Sequence, residues 1–191
     1  HAPLVLQRYL KQHMPDAVVF AIGEPELSEE LAADFRLSED PDEITVVIAS
    51  FDPTFDYRKL NIAFHALRRG ARFLATNTDA TCPLDDDEIP DAAAVIGALE
   101  GCSGRKLELV TGKPSPLVAE AALERLGKPA SQCLIVGDGL ATDIVMGHHV
   151  GMTTVLVLTG VTSQADLAHA PIQPDHVLRS LADLPALLDH C

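Results

Sequence analysis

Short unbroken apolar runs alternate along this chain with stretches of near-3.6 periodicity, an order that predicts an α/β protein. Residues 3–12 carry Leu4, Val5, Tyr9 and Leu10 in a helical rhythm, and residues 17–22 (AVVFAI) form a strand-like run closed by Gly23. A short helix is expected from Ser28, with acids in its first turn where the helix dipole favours them. Residues 44–49 (ITVVIA) read as a second buried strand. Residues 57–69 place Leu60, Ile62, Ala63, Ala66 and Leu67 on one helical side ahead of Gly70, and residues 72–75 supply the next strand. The order βαβαβ implies a parallel layer. Residues 76–90 read as a loop, rich in acids and holding two prolines; Asp91 then caps a helix through Leu99, and Gly101 to Gly104 breaks the pattern. That break sets the expected boundary between one unit, residues 1–105, and a second, residues 106–191.

The second unit is organised around residues 133–145, CLIVGDGLATDIV. Its continuous apolar start suits a parallel strand covered on both faces, and ligands of such sheets gather beyond the strands' carboxyl ends. Asp138 is therefore expected at the mouth of a site. Gly137 permits close backbone approach, Gly139 permits positive φ, and Thr142 or Asp143 can cap the following helix. Residues 107–127 repeat the scheme: a short strand, a Gly112-Lys113 turn, Ser115 as N-cap, Pro116 at the first helical position and Gly127 as the stop. One helix and one strand separate Lys113 from Asp138, the spacing of a βαβ unit with neighbouring strands. Lys113, Asp138 and Asp143 are then expected to converge. A cation with two carboxylates suits a phosphate and a hard divalent metal such as Mg2+. Further strands are expected at residues 153–158 and 176–178, and a last helix at 180–190.

Composition narrows the partners. At 191 residues with 47% apolar content the chain can bury a core, so Cys82, Cys102, Cys133 and Cys191, which lack metal-binding spacing, are read as reduced thiols of a cytoplasmic protein. With 14 basic against 28 acidic residues the net charge is -14, which disfavours nucleic acid and anionic membranes. No apolar run reaches membrane length and no signal peptide opens the chain. The acidic run Asp85 to Glu88 reads as a solvated loop, since it lacks the alternating ligands of an EF-hand. His148 and His149, adjacent on a helix, read as a surface pair.

Gly112-Lys113-Pro114-Ser115-Pro116, Gly137-Asp138 with Thr142-Asp143, and Gly151 through Val161 together resemble the haloacid dehalogenase (HAD) superfamily, and more closely its subclass IIA of NagD-like and p-nitrophenylphosphatase-like enzymes. Arg69 through Asp79 and Ser103 through Lys106 match the same subclass, so the likeness covers essentially the whole chain. It implies a Rossmann-like core, of which residues 106–191 form the C-terminal half, and an α/β cap of the C2 type at residues 1–105. It further implies a Mg2+-dependent phosphomonoesterase acting through an aspartyl-phosphate on a small phosphorylated metabolite, and a possible homodimer through the cap. Carried over, Lys113 binds phosphate and orients the nucleophile, Asp138 is a metal ligand, and Asp143 is a ligand or supports one. Asn77, Asp79 and Cys82 face the leaving group, with Gly112, Ser115 and Thr142 also placed about the substrate.

The resemblance lacks its opening. The family's nucleophile lies in an Asp-x-Asp-Gly motif ahead of the cap, whereas this chain begins with the cap-like segment at His1. The chain is accordingly expected to be a fragment, inactive as written, with an unpaired apolar edge at Leu134. Two rival readings stand beside this one. Asp52 could be the nucleophile of a capless enzyme with Thr76, Lys113 and Asp138, or the chain could be a non-catalytic binding or dimerisation module. A receiver-type signalling domain fits less well, because its lysine follows the acids and Lys113 precedes Asp138.

Overall fold

A computed structural model describes residues 2–84 and 87–188, so Asp85 and Asp86 of the acidic run and the thiol of Cys191 lie outside the described residues. Two compact units divide between Gly112 and Lys113.

In the first unit α1 (Ala2–His13) leads into β1 (Val18–Ile22), and α2 (Pro25–Ala32) connects to β2 (Arg36–Leu37). Then follow β3 (Val46–Ala49), α3 (Tyr57–Arg68), β4 (Arg72–Ala75), the hairpin strands β5 (Thr81–Pro83) and β6 (Glu88–Pro90), α4 (Ala92–Ser103) and β7 (Leu109–Val110). The main sheet runs β2-β1-β3-β4-β7, with every neighbouring pair parallel. Strand alternation feeds two cores, one on each side. Val19, Val46, Ile48 and Leu74 pack with Leu6 and Leu10 of α1 and Leu27 and Leu31 of α2. Phe20, Val47, Ala49 and Phe73 pack with Ala63 and Leu67 of α3 and Val95 and Leu99 of α4. Coverage on both faces is why β3 reads as an unbroken apolar run instead of an alternating one.

The second unit has α5 (Pro116–Leu126), β8 (Leu134–Gly137), α6 (Val145–Val150), β9 (Thr153–Val157), α7 (Gln164–His169), β10 (His176–Leu178) and α8 (Leu184–Leu188). Its parallel sheet is ordered β10-β9-β8, so β8 is an edge among the described strands, and all four of its residues are only half-buried. Among the described residues no helix is long and apolar enough to cross a membrane.

The structure corrects several expectations. The strand ahead of Lys113 does not lie beside β8: β7 pairs with β4 through Leu74 and Leu109, which puts it in the first unit, beyond the expected 105/106 boundary. The loop at 76–90 contains the antiparallel β5-β6 hairpin. The helix expected from Ser28 starts at Pro25, whose fixed φ suits the first helical turn. Of the single helix expected over 180–190, the described part is a 3-10 turn, Leu181–Asp183, followed by α8, and residues 189–190 lie outside the described residues.

A reciprocal clasp holds β9 to β10. The Thr154 backbone N–H and hydroxyl both donate to Asp175 Oδ2 at 2.8 Å, and Asp175 N–H donates to Thr154 Oγ1 at 3.0 Å. The N–H of Thr154 first, and its hydroxyl second, hold the Asp175 carboxyl below its ordinary pKa of 3.8. A depressed carboxylate pKa adds stability that is present above the unfolded value and lost as pH falls through the folded one. Asp175→Asn is therefore expected to flatten the acid limb of the melting-temperature profile below about pH 4. An acid limb unchanged from wild type in thermal melts would refute it.

Candidate active site

Asp138 directly follows β8, and the turn after it is built to bring a second carboxylate back. Leu140–Ile144 is a π-helical turn, in which the N–H groups of Asp143 and Ile144 both donate to Gly139 O at 2.9 and 3.2 Å. This wide turn returns Asp143 until its Oδ2 accepts from Gly139 N–H at 3.3 Å. A side chain at Gly137 would overlap Asp143, so the glycine is what lets the turn fold against the strand tip. Gly139 is needed for space as well, because a Cβ there would overlap Thr142 Oγ1. Its φ of -102° corrects the expectation of a positive φ. Neither Thr142 nor Asp143 caps the following helix, whose N-cap is Ile144 without a side-chain hydrogen bond; the Asp143 carboxylate is turned back to Gly139 N–H instead.

Lys113 stands just ahead of α5, behind a cis Lys113-Pro114 peptide bond. Ser115 is the N-cap, accepting from Leu117 N–H at 3.4 Å, and Pro116 follows at the first helical position. The Lys113 ammonium lies 2.7 Å from Asp143 Oδ1, with the lysine side chain 53% exposed and that of Asp143 7%. The cation thus faces solvent while its counter-ion is buried. A loop after β9 fixes the other carboxylate: Asp138 Oδ2 accepts from Val161 N–H at 3.1 Å, and Asp138 O accepts from the Thr162 hydroxyl at 2.5 Å. Asp138 Oδ1 has no hydrogen bond among the described residues.

The ammonium is paired with Asp143, and Asp138 directly precedes Gly139, whose N–H holds the Asp143 carboxylate. Hard carboxylates and an ammonium are the chemistry of a Mg2+ and phosphate site, since Mg2+ takes one or two protein carboxylates and completes its shell with water and phosphate oxygen. The donor set is chemically apt but small. Among the described residues no group of three or more His, Cys, Asp or Glu side chains could hold a metal ion. His148 and His149 are both exposed on α6, as a surface pair should be.

The remaining candidates divide between the units. Thr142, half-buried, belongs to the second unit, while buried Gly112 closes the first. Also in the first unit, Asn77 Nδ2 donates to Asp79 Oδ2 at 3.0 Å and reaches the Asp91 carboxylate at 3.4 and 3.5 Å. Cys82 is half-buried on β5 and free. Asp52, the nucleophile of the capless alternative, has both oxygens occupied: Oδ1 accepts from Thr54 N–H and its hydroxyl at 2.9 and 2.7 Å, and Oδ2 from Lys59 Nζ at 2.7 Å. With its side chain 1% exposed, that carboxylate is poorly placed to attack a phosphorus atom.

A family model for HAD-hydrolase-like proteins matches residues 110–184. The sugar-phosphatase AraL of Bacillus subtilis is 40% identical over 186 residues, an alignment covering 97% of this chain and 68% of that one. The chain belongs to the HAD superfamily of hydrolases. Within it the likeness is to subclass IIA. The crystal structure of 4-nitrophenylphosphatase from Thermotoga maritima matches this superfamily member with a TM-score of 0.89 at 33% identity, over 97% of this chain and 70% of that one. NagD from Escherichia coli K-12 matches with a TM-score of 0.86 at 30% identity, over 95% and 70%. The chain thus spans about two thirds of the length of these relatives.

Reading the sequence missed the part played by the β9 loop. Gly160 and Val161 enter the sequence reading only as part of a matching run and Thr162 not at all, yet all three touch Asp138. The available signal was position: Thr159 to Thr162 leave the tip of the strand next to β8, where neighbouring loops of a parallel sheet meet.

Proposed function

We propose that this HAD superfamily member serves a Mg2+-dependent phosphomonoester hydrolase acting on small phosphorylated metabolites of the sugar-phosphate kind through an aspartyl-phosphate. In this reading the first unit is the cap and the second is half of the catalytic core. The observation that carries it is the 2.7 Å pairing of the Lys113 ammonium with buried Asp143, next to Asp138. Lys113 offers a point charge to phosphoryl oxygen, and Asp143 holds it in place. Asp138, with Asp143 as second ligand or support, would hold Mg2+, which when bound neutralises charge on the transferring phosphoryl group. Ser115, Thr142 and Gly112 shape the turns around that charge. Asn77, Asp79 and Cys82 are assigned to the leaving group. The name of the sugar-phosphatase relative supports the substrate class.

The nucleophilic carboxylate of such a mechanism is not one of these residues. Asp138 and Asp143 have other tasks, and Asp52 is tied up. A polypeptide of these 191 residues alone is therefore expected to leave p-nitrophenyl phosphate intact in Mg2+, whereas the intact protein hydrolyses it. Release of p-nitrophenol by the isolated polypeptide would overturn the division of roles. An intact protein inert towards p-nitrophenyl phosphate and sugar phosphates would overturn the hydrolase assignment and favour a binding module.

A further inference from the structure

Asp138 is clasped from the neighbouring loop by three different means. The N–H of Val161 donates to its carboxylate, and the Thr162 hydroxyl donates to its carbonyl while accepting from Leu140 N–H at 3.4 Å. At Gly160 the fit is so close that a Cβ would overlap the Asp138 carboxylate. Thr162 is only 7% exposed. Its hydroxyl therefore bridges the residues on either side of Gly139, the amide that holds Asp143.

We propose that Thr162 is a positioning residue for the carboxylate pair, a role that rests on the reading of Asp138 as a metal ligand. A buried hydroxyl that donates at one end and accepts at the other has a single satisfied orientation, so it fixes the register of the 138–140 segment against the β9 loop. Val161 N–H is then aligned with Asp138 Oδ2, and Oδ1 is left to face a cation. Partners of this kind behind a metal ligand typically govern affinity by about 10- to 100-fold. Without the hydroxyl, Asp138 O and Leu140 N–H lose their partner and the carboxylate can turn away.

The test uses the intact protein, with Mn2+ binding followed by electron paramagnetic resonance in the absence of substrate. Thr162→Val, nearly isosteric, is expected to weaken Mn2+ binding by about tenfold or more and to raise the Mg2+ concentration needed for half-maximal activity in parallel. KM for p-nitrophenyl phosphate at saturating Mg2+ is expected to stay near wild type. Thr162→Ser, which keeps the hydroxyl, is expected to restore the affinity to within about threefold. Gly160→Ala, which pushes on the same carboxylate without touching Thr162, is expected to weaken Mn2+ binding as well; if Thr162→Val does not fold, Thr162→Ala, which also removes the hydroxyl, decides the case. Wild-type affinity in Thr162→Val, or in Thr162→Ala, overturns the inference, as does a Thr162→Ser protein as weak as Thr162→Val. A wild-type protein that binds no Mn2+ instead overturns the assignment of Asp138, and the inference with it.

Discussion

Replacing Lys113 with methionine in the intact protein is expected to lower kcat/KM for p-nitrophenyl phosphate by about 10²- to 10³-fold, the usual loss when one preorganised charge leaves a site where negative charge develops. The argument runs from placement. Lys113 leaves the polypeptide at the start of α5, and its Nζ is fixed 2.7 Å from an Asp143 oxygen whose carboxylate partner is bound to Gly139 N–H. The lysine side chain is more than half exposed and so can meet an incoming phosphoryl oxygen while its own counter-ion stays buried. Methionine keeps the aliphatic length and removes the charge. Lys113→Arg should recover only part of the activity, since a planar fork does not reproduce a compact point charge at a site built for one. Asp143→Asn should lose activity on a similar scale, and the double variant should be little worse than either single, because the two residues act as one unit. Steady-state kinetics on the four proteins, with thermal melts to confirm folding, checks this. A Lys113→Met enzyme within about threefold of wild type would remove the lysine from the mechanism.

Much of this arrangement was legible in the residues because local rules and global fold agree. Ser115, Pro116 and Gly127 bracket α5 as N-cap, first helical residue and left-handed C-cap, and each carries a signal readable without neighbours. The unbroken run at β3 announced coverage on both faces. What failed was pairing. Nothing in the period of a two-residue strand says which sheet it will join, so β7 was expected beside β8 and is found beside β4. The β5-β6 hairpin escaped because its strands are three residues each and largely exposed, leaving no apolar alternation to detect. The helix α7 is different: Ser163 and Asp166 form a capping box that was present in the sequence and went unread. In the site, the two acids and the lysine were named from spacing, but the π-helical turn that brings Asp143 back was not, since it depends on close approach at Gly137 and Gly139.

Replacing Lys59 with methionine is expected to destabilise the first unit by about 3 kcal/mol, the low end for stranding one member of a buried ion pair. Asp52 is almost wholly buried and accepts from Lys59 and from Thr54 N–H and hydroxyl, while Lys59 also donates to Thr54 Oγ1 at 2.8 Å. Losing the ammonium leaves a carboxylate with two donors and no counter-charge inside a parallel α/β layer, which is costlier than never having placed a charge there. The low end applies because Thr54 remains and because Lys59 is itself partly exposed. For a unit of this size the melting temperature should fall by roughly 10–15 °C. Asp52→Asn on the same background should recover a large part of the loss, since it removes the uncompensated charge while keeping an acceptor for Thr54. A purely additive cycle would show that the pair is not coupled as its geometry requires. The same series carries a functional contrast with Lys113. If Asp52 is a structural anion, Asp52→Asn in the intact protein stays within about twofold of wild-type turnover once its folded fraction is counted, whereas loss of a nucleophile would cost several orders of magnitude.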